Sequence, residues 1–305
     1  MLNFVGYGSA FNTDLGNNAA YIKKDKTFFL IDCGSTTFEK IKKDNLLDGV
    51  EQVYVLMTHT HPDHVGSLGD LIFYGYFMIG NLAEANVTVI APKELEIEAL
   101  LRLMGVEKET YHLLETNKEI SITNGEFDLT AEPLPITHVN TLNSFAYKIK
   151  YESKTIYYSG DANEIPEEIL KALNEGQIDL FYQDTCKAEY EGNPHLSLNK
   201  LAKLVNTDMR ERVHCMHLNV GFDIEKAKQL GFKIASENKN NTIIFDDYKH
   251  IGIQKGVCGS RPTIIGRRIE PRHIKMYGSI EEIIEDYDLT REQVEECLKY
   301  SKEFE

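Results

Sequence analysis

This sequence has no paired cysteines, no long apolar run and no surplus of basic charge. Its five cysteines, Cys33, Cys186, Cys215, Cys258 and Cys297, are scattered, odd in number and form no C-x-x-C pair. That pattern argues against a disulfide framework or a cysteine–zinc site and fits reduced thiols in a cytoplasmic protein. The most apolar later stretch, residues 71–80, is far shorter than the roughly 20 residues a membrane span needs. Met1 runs straight into the strand-like 2–6, with no basic-then-apolar secretion signal. The 33 Lys and Arg face 48 Asp and Glu, a formal net charge of −15. Such a balance argues against broad adhesion to nucleic acid or anionic membrane, both of which require basic surface. At 305 residues, 42% hydrophobic and 27% charged, the chain is that of a soluble globular protein with room for more than one domain.

What the sequence does have is Thr-His-Thr-His-Pro-Asp-His-Val at 58–65, which sets His59, His61, Asp63 and His64 within six residues. Imidazole and carboxylate suit zinc, manganese or iron, and this density of them points to metal ions. The apolar run 53–57 leads into the cluster, as a buried strand delivering the chain to a surface loop. Strand patterns cover 2–6, 19–24 and 27–32, the last closing on Asp32-Cys33-Gly34. Helical patterns cover 37–44, 65–80 and 93–104, with a strand at 87–90 between the last two. Strands then dominate 119–159. A helix at 165–174 precedes a strand at 180–182, and a helix at 197–205 precedes a strand at 212–216. Strand runs alternating with helices in two successive halves imply sheets covered by helices on their outer faces.

Further ligands are expected at strand ends. His138 follows 133–137, Asp161 follows a strand that runs into Gly160, and His217 ends the strand 213–216. His214 lies three residues before His217 and points to the opposite face of that strand, which marks it as structural. His112, His250 and His273 lack such context and read as surface or packing residues. The order H-x-H-x-D-H, then His, Gly-Asp and a late His, resembles the metallo-β-lactamase superfamily and, within it, the ribonuclease Z branch of phosphodiesterases. The opening Gly6-Tyr7-Gly8-Ser9-Ala10-Phe11 is similar to that branch's glycine–serine start. It reads as a turn between strands, since no helix follows the glycines. The resemblance spans residues 1–248 and implies an α+β fold, the αββα metallo-β-lactamase sandwich. It implies one divalent metal on His59, His61 and His138, a second on Asp63, His64 and His217, and Asp161 bridging both, with Zn²⁺ expected first and Mn²⁺ as the alternative. Paired metals of this kind activate a shared water. Asp63 is a candidate to orient or deprotonate that water, and Asp32 to support a ligand from behind.

Phosphodiester hydrolysis also needs a proton for the departing alkoxide. Phe181-Tyr182-Gln183-Asp184-Thr185 with Pro194-His195-Leu196-Ser197 resembles the region of the branch's catalytic histidine, which makes His195 the candidate acid. The branch usually carries His-Glu where this chain has Gln183-Asp184. Transfer-RNA-processing members carry a long glycine- and base-rich arm between the motifs of His138 and Asp161, and the 23 residues here leave no room for one. Residues 1–248 hold 23 Lys and Arg against 37 Asp and Glu. The expected substrate is therefore a small phosphodiester. This resembles the superfamily's cyclic-nucleotide phosphodiesterases, including phage enzymes that degrade immune-signalling cyclic nucleotides. The alternatives are a ribonuclease Z-type RNA endonuclease and a lactone or thioester hydrolase, the last needing His195 less.

Beyond Tyr248 the pattern changes, and 249–305 reads as a second, small and mainly helical domain. Residues 258–269 resemble an antitoxin-like bacterial domain family with the motif Gly-x-x-Pro-x-Ile-x-Gly-Thr-Arg-Ile, Arg267 standing for the threonine. Ser279 and Thr290 are candidate helix N-caps, Thr290 with Gln293 as a capping box, opening helices at 280–287 and 291–302. Six Lys and Arg against one Glu in 255–275 contrast with three against ten acids from 276 onwards. The asymmetry suits homodimerisation or other head-to-tail packing, with DNA binding by a regulatory tail as the non-enzyme alternative.

Overall fold

A computed structural model describes residues 1–236, 242–244, 248–254, 258, 261–274 and 278–304. The chain divides into two compact units, Met1–Glu237 and Asn238–Glu305. The first unit holds two sheets. In the first sheet β1 (Asn3–Gly6), β2 (Ala19–Lys24), β3 (Thr27–Ile31), β4 (Gln52–Leu56), β5 (Val87–Ala91) and β6 (His112–Glu115) lie in sequence order. β1, β2 and β3 pair antiparallel and β3 to β6 parallel. In the second, β7 (Ile120–Asn124), β8 (Phe127–Ile136), β9 (Ser144–Tyr151) and β10 (Lys154–Tyr158) form an antiparallel run. It continues in parallel through β11 (Leu180–Asp184), β12 (Val213–Met216) and β13 (Lys233–Ile234).

Side-chain alternation explains the layering. Along β10, Ile156 and Tyr158 join the core shared with β3 and β4, while Tyr157 turns to the other face. Phe4 meets Tyr182, and Phe29 meets Phe127, across the space between the sheets. α1 (Thr37–Lys43), α3 (Leu68–Tyr74) and α4 (Ile97–Leu103) contribute Ile41, Leu71 and Leu101 to the core of the first sheet. α5 (Glu167–Asn174), α6 (Leu198–Leu204) and α7 (Ile224–Gln229) contribute Leu173, Leu201 and Ala227 against the outer face of the second. The result is the αββα sandwich.

Two expected helices come out divided. The 65–80 segment is α2 (Pro62–Val65), α3 and a wider turn over Gly75–Ile79. The 93–104 segment breaks at Glu96, whose φ of 49° lies in the left-handed region that interrupts a helix. Apolar spacing survives both interruptions, which is why spacing alone did not place them.

The second unit has a three-stranded antiparallel sheet, β14 (Thr242–Ile244), β15 (Ile251–Gln254) and β16 (Pro262–Ile264), and the helices α8 (Pro271–Ile274), α9 (Ile280–Tyr287) and α10 (Arg291–Phe304). Ile251, Ile264, Ile283, Val294 and Cys297 build its core. Ser279 with Glu282 caps α9 reciprocally, and Thr290 does the same with Gln293 ahead of α10. Buried Glu270 takes Arg261 at 3.0 Å and Arg272 at 2.8 Å, while Arg267 pairs with Asp288. Lys255, Gly259, Ser260 and Lys275 of the basic stretch lie outside the described residues.

Candidate metal centre

Parallel strands leave their carboxyl ends on one edge, and five chain segments converge there. β4 delivers Thr58 and His59, and β8 delivers His138. β10 delivers Asp161, β11 ends on Asp184, and β12 hands over to His217. Local geometry makes the turns. Gly160 has φ 56°, and a Cβ there would lie 2.8 Å from the Phe145 carbonyl, so the residue before Asp161 must be glycine. The short α2, with Pro62 at its first position, puts Asp63 and His64 on one turn. A Cβ at Gly34 would come within 1.8 Å of the Asp63 carbonyl, so Gly34 lets that turn close on the strand end. His217 and Asp32 carry φ of 55° and 63°, left-handed values that are uncommon for non-glycine residues.

Three groups of ligand-type side chains result: His59, His61, His138 and Asp161; Asp63, His64, Asp161 and His217; and Asp161, Asp184, His195 and His217. Asp161 belongs to each. Its Oδ2 lies 3.7 Å from His59 Nε2, 3.7 Å from His138 Nε2 and 3.4 Å from His217 Nε2, while its Oδ1 lies 3.3 Å from His64 Nε2. In the first group His61 Nδ1 approaches His59 Nε2 at 3.2 Å and His138 Nε2 at 3.3 Å. In the second, Asp63 Oδ2 is 3.2 Å from His217 Nε2 and 3.5 Å from His64 Nε2. His64 Nε2 and Asp161 Oδ1 are buried, and neither makes a well-aligned hydrogen bond among the described residues. Buried polar atoms are ordinarily paired, and a divalent cation between such nitrogens and oxygens would satisfy both. The donor set, imidazole with carboxylate, fits that ion.

Behind these atoms stands a ring of partners. Asp32 is buried and accepts from His64 Nδ1 at 2.8 Å, from the Thr58 amide at 2.8 Å and from the Thr58 hydroxyl at 2.7 Å. The Thr58 hydroxyl in turn lies 3.0 Å from His59 Nδ1. His138 Nδ1 donates to the Pro194 carbonyl at 2.9 Å. Asp184 Oδ2 sits 2.6 Å from His195 Nδ1, and its Oδ1 is 3.4 Å from His217 Nδ1.

The charges follow from this arrangement. Burial opposes a proton on His64, but Asp161 and Asp32 outweigh it and hold the pKa well above the ordinary value. Burial is likewise overcome at His217, where Asp161, Asp184 and Asp63 raise the pKa to about 10. At His195 burial also opposes charge, and Asp184 reverses it and raises the pKa. His59 goes the other way, driven well below its usual value by burial and by His64. Asp63 and Asp161 are buried too, yet the neighbouring imidazoles hold both carboxyls well below the usual range.

All seven residues that the resemblance assigns to the metals meet at this edge, and His195 lies beside them, its ring 5.1 Å from that of His138 and 5.0 Å from that of His217. His214 points away, stacked 4.9 Å from Tyr182, with its pKa lowered to about 4 by burial. His112 is exposed on β6, and His250 pairs with Glu296 in the second unit. Sequence reasoning gave Asp184 no role. Its signal was a carboxylate at the end of an apolar strand parallel to the one bearing Asp161, and that becomes informative once the strand order is known.

Comparison with known proteins agrees with the fold. The family model described as Anti-Pycsar protein Apyc1 matches residues 1–239. An Anti-Pycsar protein Apyc1 from Paenibacillus harenae is 30% identical over 224 residues, covering 71% of this chain and 88% of that protein. Another from Bacillus phage 010DV004 is 28% identical over 233 residues, with the same coverage. Among solved structures, the metallo-beta-lactamase fold protein YhfI from Bacillus subtilis superimposes with a TM-score of 0.59 at 18% identity, covering 77% of this chain and 94% of that one. Residues 251–301 match a family described as a protein of unknown function, DUF433. No helix among the described residues is long and apolar enough to cross a membrane. The strand ends of this sandwich gather five histidines and two aspartates, the family model spans its whole first unit, and the chain belongs to the Anti-Pycsar Apyc1 family of metal-dependent hydrolases.

Proposed function

We propose that this chain hydrolyses the phosphodiester of a cyclic nucleotide at the edge where His59, His61, Asp63, His64, His138, Asp161 and His217 meet. The observation that carries the reading is Asp161, whose two oxygens face histidines of both groups within 3.7 Å. Two divalent ions held there, with Zn²⁺ favoured by the imidazole-rich donors, would activate a shared water and neutralise charge on the phosphoryl oxygens. The remaining work falls to protein groups. Asp63, its Oδ2 3.2 Å from His217 Nε2 on the turn that opens α2, is placed to orient the attacking water through a hydrogen bond. Asp184 accepts from His195 Nδ1–H, so the second proton of the imidazolium sits on Nε2, and the raised pKa favours that charged form. His195 Nε2 then supplies the proton that the departing sugar oxygen requires.

The substrate class rests on the space around the centre. Between His138 and Asp161 the chain makes only the loop 137–143 and the β9–β10 hairpin, turning at Glu152-Ser153. Nothing there reaches out to grip a folded RNA. The cleft at the centre, about 440 Å³, is of the size that holds a small ligand. The five unbridged cysteines are compatible with a cytoplasmic setting. The second unit reads as an assembly module, because Arg261, Arg267 and Arg272 are engaged by acids of the same unit and are less available to DNA phosphates.

Metal analysis of the full chain with assays on 3′,5′-cyclic mononucleotides and a precursor tRNA tests the reading. Two equivalents of metal and turnover of the cyclic nucleotides are expected; cleavage of tRNA alone would overturn the substrate. Full turnover by His195→Ala would instead favour an ester with a less basic leaving group, such as a lactone or thioester.

A further inference from the structure

The loop between β1 and β2 presents an aromatic ring that the fold does not use. Phe11 is 90% exposed, more than any other large hydrophobic side chain among the described residues. It is not on a floppy excursion. Ala10 and Phe11 are the central residues of a turn closed by Asn12 N–H donating to the Ser9 carbonyl at 3.0 Å. The turn is tied to the residue after His217: Ser9 N–H and Asn12 Nδ2 both donate to the Leu218 carbonyl, at 3.1 and 2.9 Å, and Leu218 N–H donates to the Tyr7 carbonyl at 2.9 Å. Phe11 is thereby held at a fixed place relative to the metal centre, and it lines the same cleft as Asp161, His195 and His217.

A cyclic nucleotide bound at that centre has its phosphate among the histidines, and its base must lie elsewhere in the cleft. Away from the ligand cluster and His195, the polar side chains of the lining are Ser9, Cys186 and Asn219. Two of these are already engaged. Asn219 Oδ1 accepts from the Lys187 amide at 2.9 Å and its Nδ2 donates to the Val220 carbonyl at 3.2 Å. Cys186 Sγ donates to the Ala188 carbonyl and accepts from Asn193 Nδ2. With few groups left to read a base by its edges, contact with its face supplies the grip, and an aromatic ring is suited to that contact because every base has a π-face.

We infer that Phe11 stacks on the nucleobase of the bound substrate and sets its affinity, an assignment that rests on the cyclic-nucleotide reading above. The test is steady-state kinetics of full-length, metal-loaded wild type, Phe11→Ala and Phe11→Tyr. The substrates are cyclic AMP, cyclic UMP and a base-free deoxyribose 3′,5′-cyclic phosphate. Phe11→Ala should raise KM for the two nucleotides by about 5- to 150-fold, the range of base–aromatic stacking. Its kcat should stay within about twofold, and KM for the base-free compound should not move. Phe11→Tyr should restore the nucleotide KM. Wild type that turns over both nucleotides while Phe11→Ala keeps its KM would overturn the stacking role alone. So would an equal loss on the base-free compound, or an unchanged KM with altered oligomer size, which would give Phe11 to a contact between copies. Wild type inactive on every cyclic nucleotide would overturn the substrate reading and this assignment with it.

Discussion

The two ligand groups share Asp161 but are held from behind in different ways. His64 and His217 each meet a buried carboxylate at Nδ1, Asp32 and Asp184 respectively. His138 meets a backbone carbonyl, and His59 reaches Asp32 only through the Thr58 hydroxyl. A carboxylate behind an imidazole fixes its orientation and raises its basicity as a ligand. The Asp63, His64 and His217 group therefore has the stronger donors, and the three-histidine group, half-open at His61, has the weaker. The difference teaches that one centre can hold one ion firmly and present the other to substrate.

The most severe way to break the comparison is to remove what the groups share. Asp161→Ala should abolish turnover, a loss well beyond the ~10–100-fold that an outer partner costs, and bound metal should fall below two equivalents by elemental analysis. Two tightly retained equivalents in that variant would show the groups to be independent of Asp161. Next in size is His195→Ala, which leaves all seven ligand-type residues in place and removes only one partner of Asp184 Oδ2. Turnover of a cyclic nucleotide should drop by about 10²–10⁴-fold, with metal content unchanged.

Outer partners separate the groups more finely. Chelator titration should release metal in two steps, the three-histidine group emptying first. Thr58→Val cuts the relay to His59 and leaves His64 on Asp32, so only the first step should move. Asp32→Asn disturbs both, and the second step should weaken by about 10–100-fold. Equal displacement of both steps by Thr58→Val would erase the asymmetry.

The ligands were readable in the sequence because their spacing is local or because each ends an apolar strand. Of the outer ring only Asp32, which closes the strand β3, was readable. Asp184, Thr58 and the Pro194 carbonyl matter through which strand lies beside which, and β11 between β10 and β12 is a fact of topology. Gly160 was legible as a turn, whereas Gly34 acquires a reason only when the Asp63 carbonyl is seen packed against it. The interruption at Glu96 has no composition signal, since its neighbours keep helical spacing. Across the first unit, apolar periodicity located the strands, and the long-range hydrogen bonds that tune the histidines required the fold.

His214 and His217 put the same comparison on a single strand and its exit, three residues apart and both buried. His217 faces carboxylates and is raised to about 10; His214 faces Tyr182 and the Arg212 carbonyl, and burial lowers it to about 4. Partner chemistry, not depth, sets the sign. For His214 the unfolded chain binds the proton near pH 6.5 and the folded chain near 4, so over that window the unfolded state holds more protons and stability falls as pH falls. The slope should appear below about pH 6.5 and level off below about pH 4, with a total of about 3 kcal/mol as an upper bound. Denaturant unfolding of wild type and His214→Phe at pH 7, 6 and 5 isolates it, because the other titrating groups are common to both chains. The variant should lose less stability than wild type on acidification, by about 2 kcal/mol at pH 5. Parallel pH dependences would mean that His214 takes up its proton while folded, and that burial alone does not keep it neutral.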